Sequence, residues 1–227
     1  MMERCSDGQL EIDEKQSVTL DNEGRVKRAL TPIVALLVGA LLLLSACGEE
    51  AAAPFSGTRR TPAPVIESTL PTVDGESFDF VAEEDSVLLV YFGFTFCPDV
   101  CPTTLADLSF ARTELGDQSE MVDLAMVTID PNRDDGESLS NYLNSFIPGS
   151  TALRTDDDAE LRSAANEFGV FYEVTESEDG EIDVAHSGTV FVIDDQGKLT
   201  ASWPFGTPAT DIVNDLQILL SETEDNA

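Results

Sequence analysis

Residues 87–105 read VLLVYFGFTFCPDVCPTTL, and this stretch decides the fold. Val87 to Phe92 is an unbroken apolar run rich in β-branched and aromatic residues, the pattern of a strand covered on both faces. Two cysteines follow it, Cys97 and Cys101. Pro102 suits the first turn of a helix, where its missing N–H costs little. A buried strand leading into a helix points to an α/β layer fold.

The rest of the chain repeats the theme. Leu124–Ile129 and Thr189–Ile193 read as further buried strands. Asp195-Gln196-Gly197 reads as a hairpin turn into Leu199–Trp203. Leu139, Tyr142, Leu143 and Phe146 fall at i, i+3, i+4 and i+7, the spacing of one helix face. Leu161, Ala164, Ala165 and Phe168 repeat that spacing, and Ile212, Val213, Leu216 and Leu219 make a third apolar stripe. Asp156 to Asp158 precede the second helix and read as caps and favourable N-terminal charges rather than a metal site. Leu70–Phe80 reads as a small N-terminal β-hairpin around Asp74-Gly75.

Composition narrows the function. The 227 residues carry 12 basic and 44 acidic side chains and one histidine, a net charge of −32. That length fits one or two domains. The charge argues against nucleic acid, which needs a basic face. Four cysteines are too few for a disulfide scaffold but enough for one site.

The N-terminal part reads as export machinery. Residues 33–46, IVALLVGALLLLSA, form an apolar run of 14 residues, short of the roughly 20 a spanning helix needs. Arg25, Lys27 and Arg28 precede it, as in a signal peptide. Leu44-Ser45-Ala46-Cys47 looks like a bacterial lipobox, which implies cleavage before Cys47 and lipid on its sulfur. Residues 1–24 are acidic, unusual ahead of a signal, so the true start is expected near Val26. The expected organisation is extension plus signal over 1–46, a flexible tether over 47–64 and one domain over 65–227. The part from Cys47 onward holds 37 acids and seven bases. Export to the extracytoplasmic face of the plasma membrane would put Cys97 and Cys101 where disulfides are permitted.

Two thiols between a buried strand and a helix start have a chemical consequence. A helix N-terminus favours anions, so thiolate is expected there, and thiolate is both the nucleophile of disulfide exchange and a ligand for soft metals. Spacing i, i+4 puts both sulfurs on one face if the segment is helical. The plain alternative is a stabilising disulfide, whose small loop would contribute little. His186, the only histidine, lies just ahead of the third buried strand. Two thiolates and one imidazole make a ligand set for copper; zinc usually takes a fourth ligand. Spacing alone does not bring His186 to the sulfurs.

Three separated blocks resemble the Sco/SenC family of thioredoxin-like copper proteins that serve cytochrome c oxidase. They are Tyr91-Phe92-Gly93-Phe94-Thr95-Phe96-Cys97-Pro98-Asp99-Val100-Cys101-Pro102, then Asp130-Pro131-Asn132-Arg133-Asp134 with Leu139, Tyr142 and Phe146, then Asp183-Val184-Ala185-His186-Ser187. The resemblance covers about residues 65–220. It implies a thioredoxin-like fold with a central mixed sheet flanked by helices. It implies Cys97, Cys101 and His186 as ligands of Cu(I) or Cu(II), and a cysteine pair able to cycle to a disulfide and release the metal. It implies a partner oxidase subunit carrying a dinuclear copper site. Asp130 and Asp134 match family positions but read first as turn and helix-start residues. The chain departs from the family at Phe96, where many relatives have His, at Ala185 and at Gly136. It departs from thioredoxins in its CxxxC spacing and in lacking a proline beside His186.

Three functions fit these residues: a lipid-anchored copper chaperone, a thiol–disulfide reductase acting through Cys97 and Cys101 on the oxidase copper site or another exported protein, and a copper or redox sensor.

Overall fold

The computed structural model describes residues 53–226. The expected signal, Cys47 and the extension over residues 1–24 lie outside them.

Strand β4 (Val87–Gly93) is buried at all seven positions. It is at the centre of a six-stranded sheet. β4 runs parallel to β5 (Val122–Thr128), which runs parallel to β6 (Thr151–Leu153). On its other side β4 is antiparallel to β9 (Val190–Ile193), followed by β10 (Leu199–Trp203) and β1 (Thr58–Arg59). The sheet is therefore mixed and flanked by helices, as expected. α1 (Val100–Glu114) follows β4 and packs against α2 (Gly136–Phe146) and α4 (Ala209–Asn226). α3 (Asp158–Phe168) packs near β2 (Thr69–Pro71), which pairs with β3 (Ser77–Asp79) as the small expected hairpin. Gly75 has φ 85° in its turn, a left-handed conformation that glycine adopts without a Cβ clash.

Burial explains why these segments hold together. Leu89, Val90, Tyr91 and Phe92 have no exposed surface, and Phe92 and Phe168 stack edge to face with centroids 5.3 Å apart. Each such side chain contributes about 1.5–3 kcal/mol by leaving water. The acidic triplet behaves as capping residues: Asp157 accepts hydrogen bonds from the amides of Ala159 and Glu160, Asp156 pairs with Arg154, and Asp158 pairs with Arg162.

Two segments differ from expectation. The flexible tether is expected over residues 47–64, because their Ala, Pro and Gly content shows no apolar period, and its described part is residues 53–64. They are instead held to the sheet edge. β1 pairs with Ser202 and Ala201, and the amides of Ser56 and Gly57 donate to buried Asp215 at 2.9 and 2.7 Å. The second segment is an unexpected hairpin of β7 (Tyr172–Glu176) and β8 (Ile182–His186). Its register sets Tyr172 opposite His186.

Candidate metal centre

The parallel register of β4 and β5 places Gly93 beside Thr128. The loops leaving both strands therefore emerge together at the carboxyl end of the sheet, where open α/β sheets generally bind ligands. Cys97 lies in the loop after β4, outside the helix, so the expected shared helical face is not what joins the sulfurs. The loop turns back instead. The Cys101 amide donates to the Cys97 sulfur at 3.3 Å, and Asp99, between the thiols, precedes the helix without a side-chain cap. Cys101 is fully buried in the first turn of α1, Cys97 is half-buried, and both are free thiols.

His186 reaches the pair from the end of β8. Its Nε2 is 3.7 Å from the Cys101 sulfur, and its Nδ1 is 3.1 Å from the carbonyl oxygen of Ser187. A carbonyl only accepts, so Nδ1 carries the proton and Nε2 offers its lone pair toward the sulfurs. Burial lowers the imidazole pKa and so favours the neutral ring, with the Ser187 bond acting in the opposite direction. The rings of Tyr91 and Phe94 pack edge to face on the imidazole, with centroids 6.3 and 5.7 Å away. The two sulfurs and one imidazole nitrogen lie within 4.8 Å of one another.

Burial pushes the Cys101 thiol up to about 12, although the neighbouring Tyr91 hydroxyl pulls it part of the way back. Helix-start stabilisation of thiolate, the expectation from sequence, is outweighed at Cys101 by loss of water. The raised thiol makes the stability of the reduced, metal-free chain depend on pH. The unfolded thiol ionises near 9 and the folded one near 12, so between these the native state binds more protons. Between pH 9 and 10 this thiol should lower stability by about 1.4 kcal/mol per pH unit, and above pH 10 the phenols of Tyr91 and Tyr142, also raised by burial, add to the fall. Urea melts from pH 8 to 11 check this. Cys101→Ser should flatten the slope, and an equally steep slope in that variant would rule out the thiol as its source.

The surroundings suit a bound soft ion. A Cβ on Gly93 would lie 2.7 Å from Tyr91 Cε1, 2.9 Å from Met126 Cε and 3.1 Å from the Cys101 sulfur, so only glycine lets the thiol and phenol close over the strand. The Tyr91 hydroxyl is buried there without a well-aligned hydrogen bond.

Asp134 is the residue whose role the sequence reading missed. Read as a helix-start residue, it is fully buried, and Asp135 caps α2 by accepting from Ser138. Asp134 instead accepts from the Thr95 amide at 3.1 Å, from the Thr95 hydroxyl, and from the Thr128 hydroxyl at 2.6 Å. It ties the Cys97 loop to the end of β5. Asp130 holds a turn as expected: its carbonyl accepts from the amides of Arg133 and Asp134, and its carboxylate pairs with the Arg133 side chain. The Arg133 guanidinium lies 5.2 Å over the ring of Phe96, which stands exposed beside Cys97.

Comparison with known proteins covers the domain that carries these residues. The family described as SCO1/SenC matches residues 60–221. A SCO2-like protein of Rickettsia conorii is 32% identical over 127 residues, 55% of this chain and 62% of the relative, so the match spans about six-tenths of that relative's length. The solution structure of apo Sco1 from Thermus thermophilus is 35% identical with TM-score 0.65, covering 74% of this chain and 99% of that one. The copper-bound ScoI of Bradyrhizobium japonicum is 25% identical with TM-score 0.58, covering 69% and 98%. The fold is thus that of the Sco proteins, a thioredoxin-like one.

Proposed function

We propose a copper-carrier function for this chain, which belongs to the SCO1/SenC family by the match over residues 60–221. Cys97, Cys101 and His186 take up one copper ion and pass it to the dinuclear copper site of a cytochrome c oxidase subunit. The observation that carries this reading is the convergence of two sulfurs and a tautomer-fixed imidazole nitrogen within 4.8 Å, from a loop, a helix start and a hairpin end.

The chemistry follows from the donors. Thiolates favour Cu(I), and imidazole also accepts Cu(II). Uptake must expel the Cys101 proton, because only thiolate ligates. Cys97, half-buried, is the sulfur an incoming acceptor thiolate reaches first, so copper moves by ligand exchange without release to water. A purely disulfide-reducing role is less well supported. It gives the oriented Nε2 lone pair nothing to do and leaves Cys101 a poor nucleophile. On the same reading the apolar run 33–46 directs export and Cys47 carries lipid at the extracytoplasmic membrane face; Cys47→Ala should release the chain from membranes.

Titrating reduced chain with Cu(I), and separately with Cu(II), tests the carrier. One copper per chain is expected, with a thiolate-to-Cu(II) charge-transfer band. The loaded chain should then give its copper to a metal-free dinuclear-copper domain of the oxidase. Failure to bind copper, or copper that stays put in the presence of that domain, would overturn the proposal.

A further inference from the structure

The rim of the metal centre joins two features that the ligand set does not require. The first is aromatic. Phe96, Phe171 and Phe205 are 59%, 60% and 46% exposed and come from three separate segments. Each is tied to a ligand. Phe96 adjoins Cys97. The Phe171 carbonyl accepts from the amide of Ser187, the residue after His186, and the Phe171 amide donates to the Ser187 hydroxyl. Phe205 lies against Gly188, where a Cβ would come within 3.0 Å of it and 2.9 Å of Val100 at the start of α1. Leaving three such rings in water is unfavourable, and nothing among the described residues covers them.

The second feature is charge. The β7–β8 hairpin that presents His186 carries Glu173, Glu176, Glu178, Asp179, Glu181 and Asp183, all exposed, and no lysine or arginine. None of the six enters a salt bridge among the described residues. The base nearest the cysteine loop, Arg133, is already paired with Asp130.

We propose that this rim is the docking surface for the copper-exchange partner, and that the partner presents an apolar patch bordered by lysine or arginine. The inference rests on the carrier reading above and adds to it the chemistry of the partner. The aromatic rings supply contact area at the point of transfer, and the acidic hairpin orients the approach. Like charge on the partner's border would be repelled by the hairpin, so a basic border is the occupant that fits.

The test uses the full chain, reduced and metal-free, with the dinuclear-copper domain of the oxidase as probe. One variant combines Phe171→Ser with Phe205→Ser; the other combines Glu178→Lys, Asp179→Lys and Glu181→Lys. Neither set includes a proposed copper ligand, and both variants should keep wild-type copper stoichiometry and lose copper to a small chelator at the wild-type rate. Binding of the probe, followed by NMR shifts, should weaken at least about tenfold in the phenylalanine variant. In the hairpin variant the association rate should fall, and with it the decline of that rate as salt is raised. Probe binding that is undetectable in the wild type, or unchanged in both variants, overturns the docking surface. Absence of copper binding in the wild type would instead strike the carrier reading, and the metal-free binding measurement is independent of it.

Discussion

His186→Ala should leave Cu(I) on the two thiolates yet weaken Cu(II) binding by about 100-fold or more, with loss or marked shift of the thiolate-to-copper charge-transfer band. Soft Cu(I) is content with sulfur. Cu(II) is harder and gains more from the imidazole nitrogen. The chain has no second histidine to substitute. The Ser187 carbonyl fixes Nδ1 as the protonated nitrogen, so the wild-type ring offers its lone pair without first shedding a proton. Alanine also removes edge contacts to Tyr91 and Phe94, worth about 1 kcal/mol together. Thermal stability should therefore drop only a few degrees while the copper spectrum changes outright. Parallel copper titrations and thermal melts of wild type and variant provide the check. Cu(II) affinity and spectrum equal to wild type would remove the imidazole from the ligand set.

The contrast between what could be read in the sequence and what could not has physical causes. The strand Val87–Gly93 was visible because every residue is buried and none is charged. The helices were visible because a one-sided apolar stripe has a period. The cysteine pair was visible as chemistry, but its geometry was not. Its sulfurs meet through a loop that folds back onto the Cys101 amide, which no helical spacing describes. The β7–β8 hairpin was missed because it is almost wholly exposed: Tyr172 and Val174, and Ile182 and Val184, alternate with polar residues, but two apolar positions per strand make a short, weak signal. The turn signal Asp179-Gly180 lies between them, with Gly180 at φ 81°. The edge strand Thr58–Arg59 left no signal because it is two residues long and held by pairing and by Asp215, far along the chain. His186 came to the sulfurs by family resemblance alone, since its position depends on that unseen hairpin.

Asp134 is the clearest case of a site residue that only the fold reveals, and it carries the second large expectation. Asp134→Ala should destabilise the protein by about 3–5 kcal/mol, because it strands the Thr95 amide and the Thr95 and Thr128 hydroxyls in the interior. For a domain of this size that corresponds to a fall in Tm of about 6–20 °C. The damage should extend to the metal centre. Thr95 precedes Cys97 by two residues, and its bonds to Asp134 are what fix that loop against β5. Freed, the loop lets the Cys97 sulfur wander from Cys101 and His186, and copper affinity should fall about 10–100-fold, as for other residues that orient ligands. Asp134→Asn separates the two effects. It keeps the shape and one accepting oxygen but turns an amide N–H₂ toward a donor, so part of the stability should return while copper affinity stays reduced. Asp130→Ala is the control, since Asp130 pairs with a partly exposed arginine and makes no bond to the cysteine loop. It should cost less stability and leave copper affinity near wild type. If Asp134→Ala melts with the wild type and holds copper as tightly, the Thr95 loop is fixed by something other than this carboxylate.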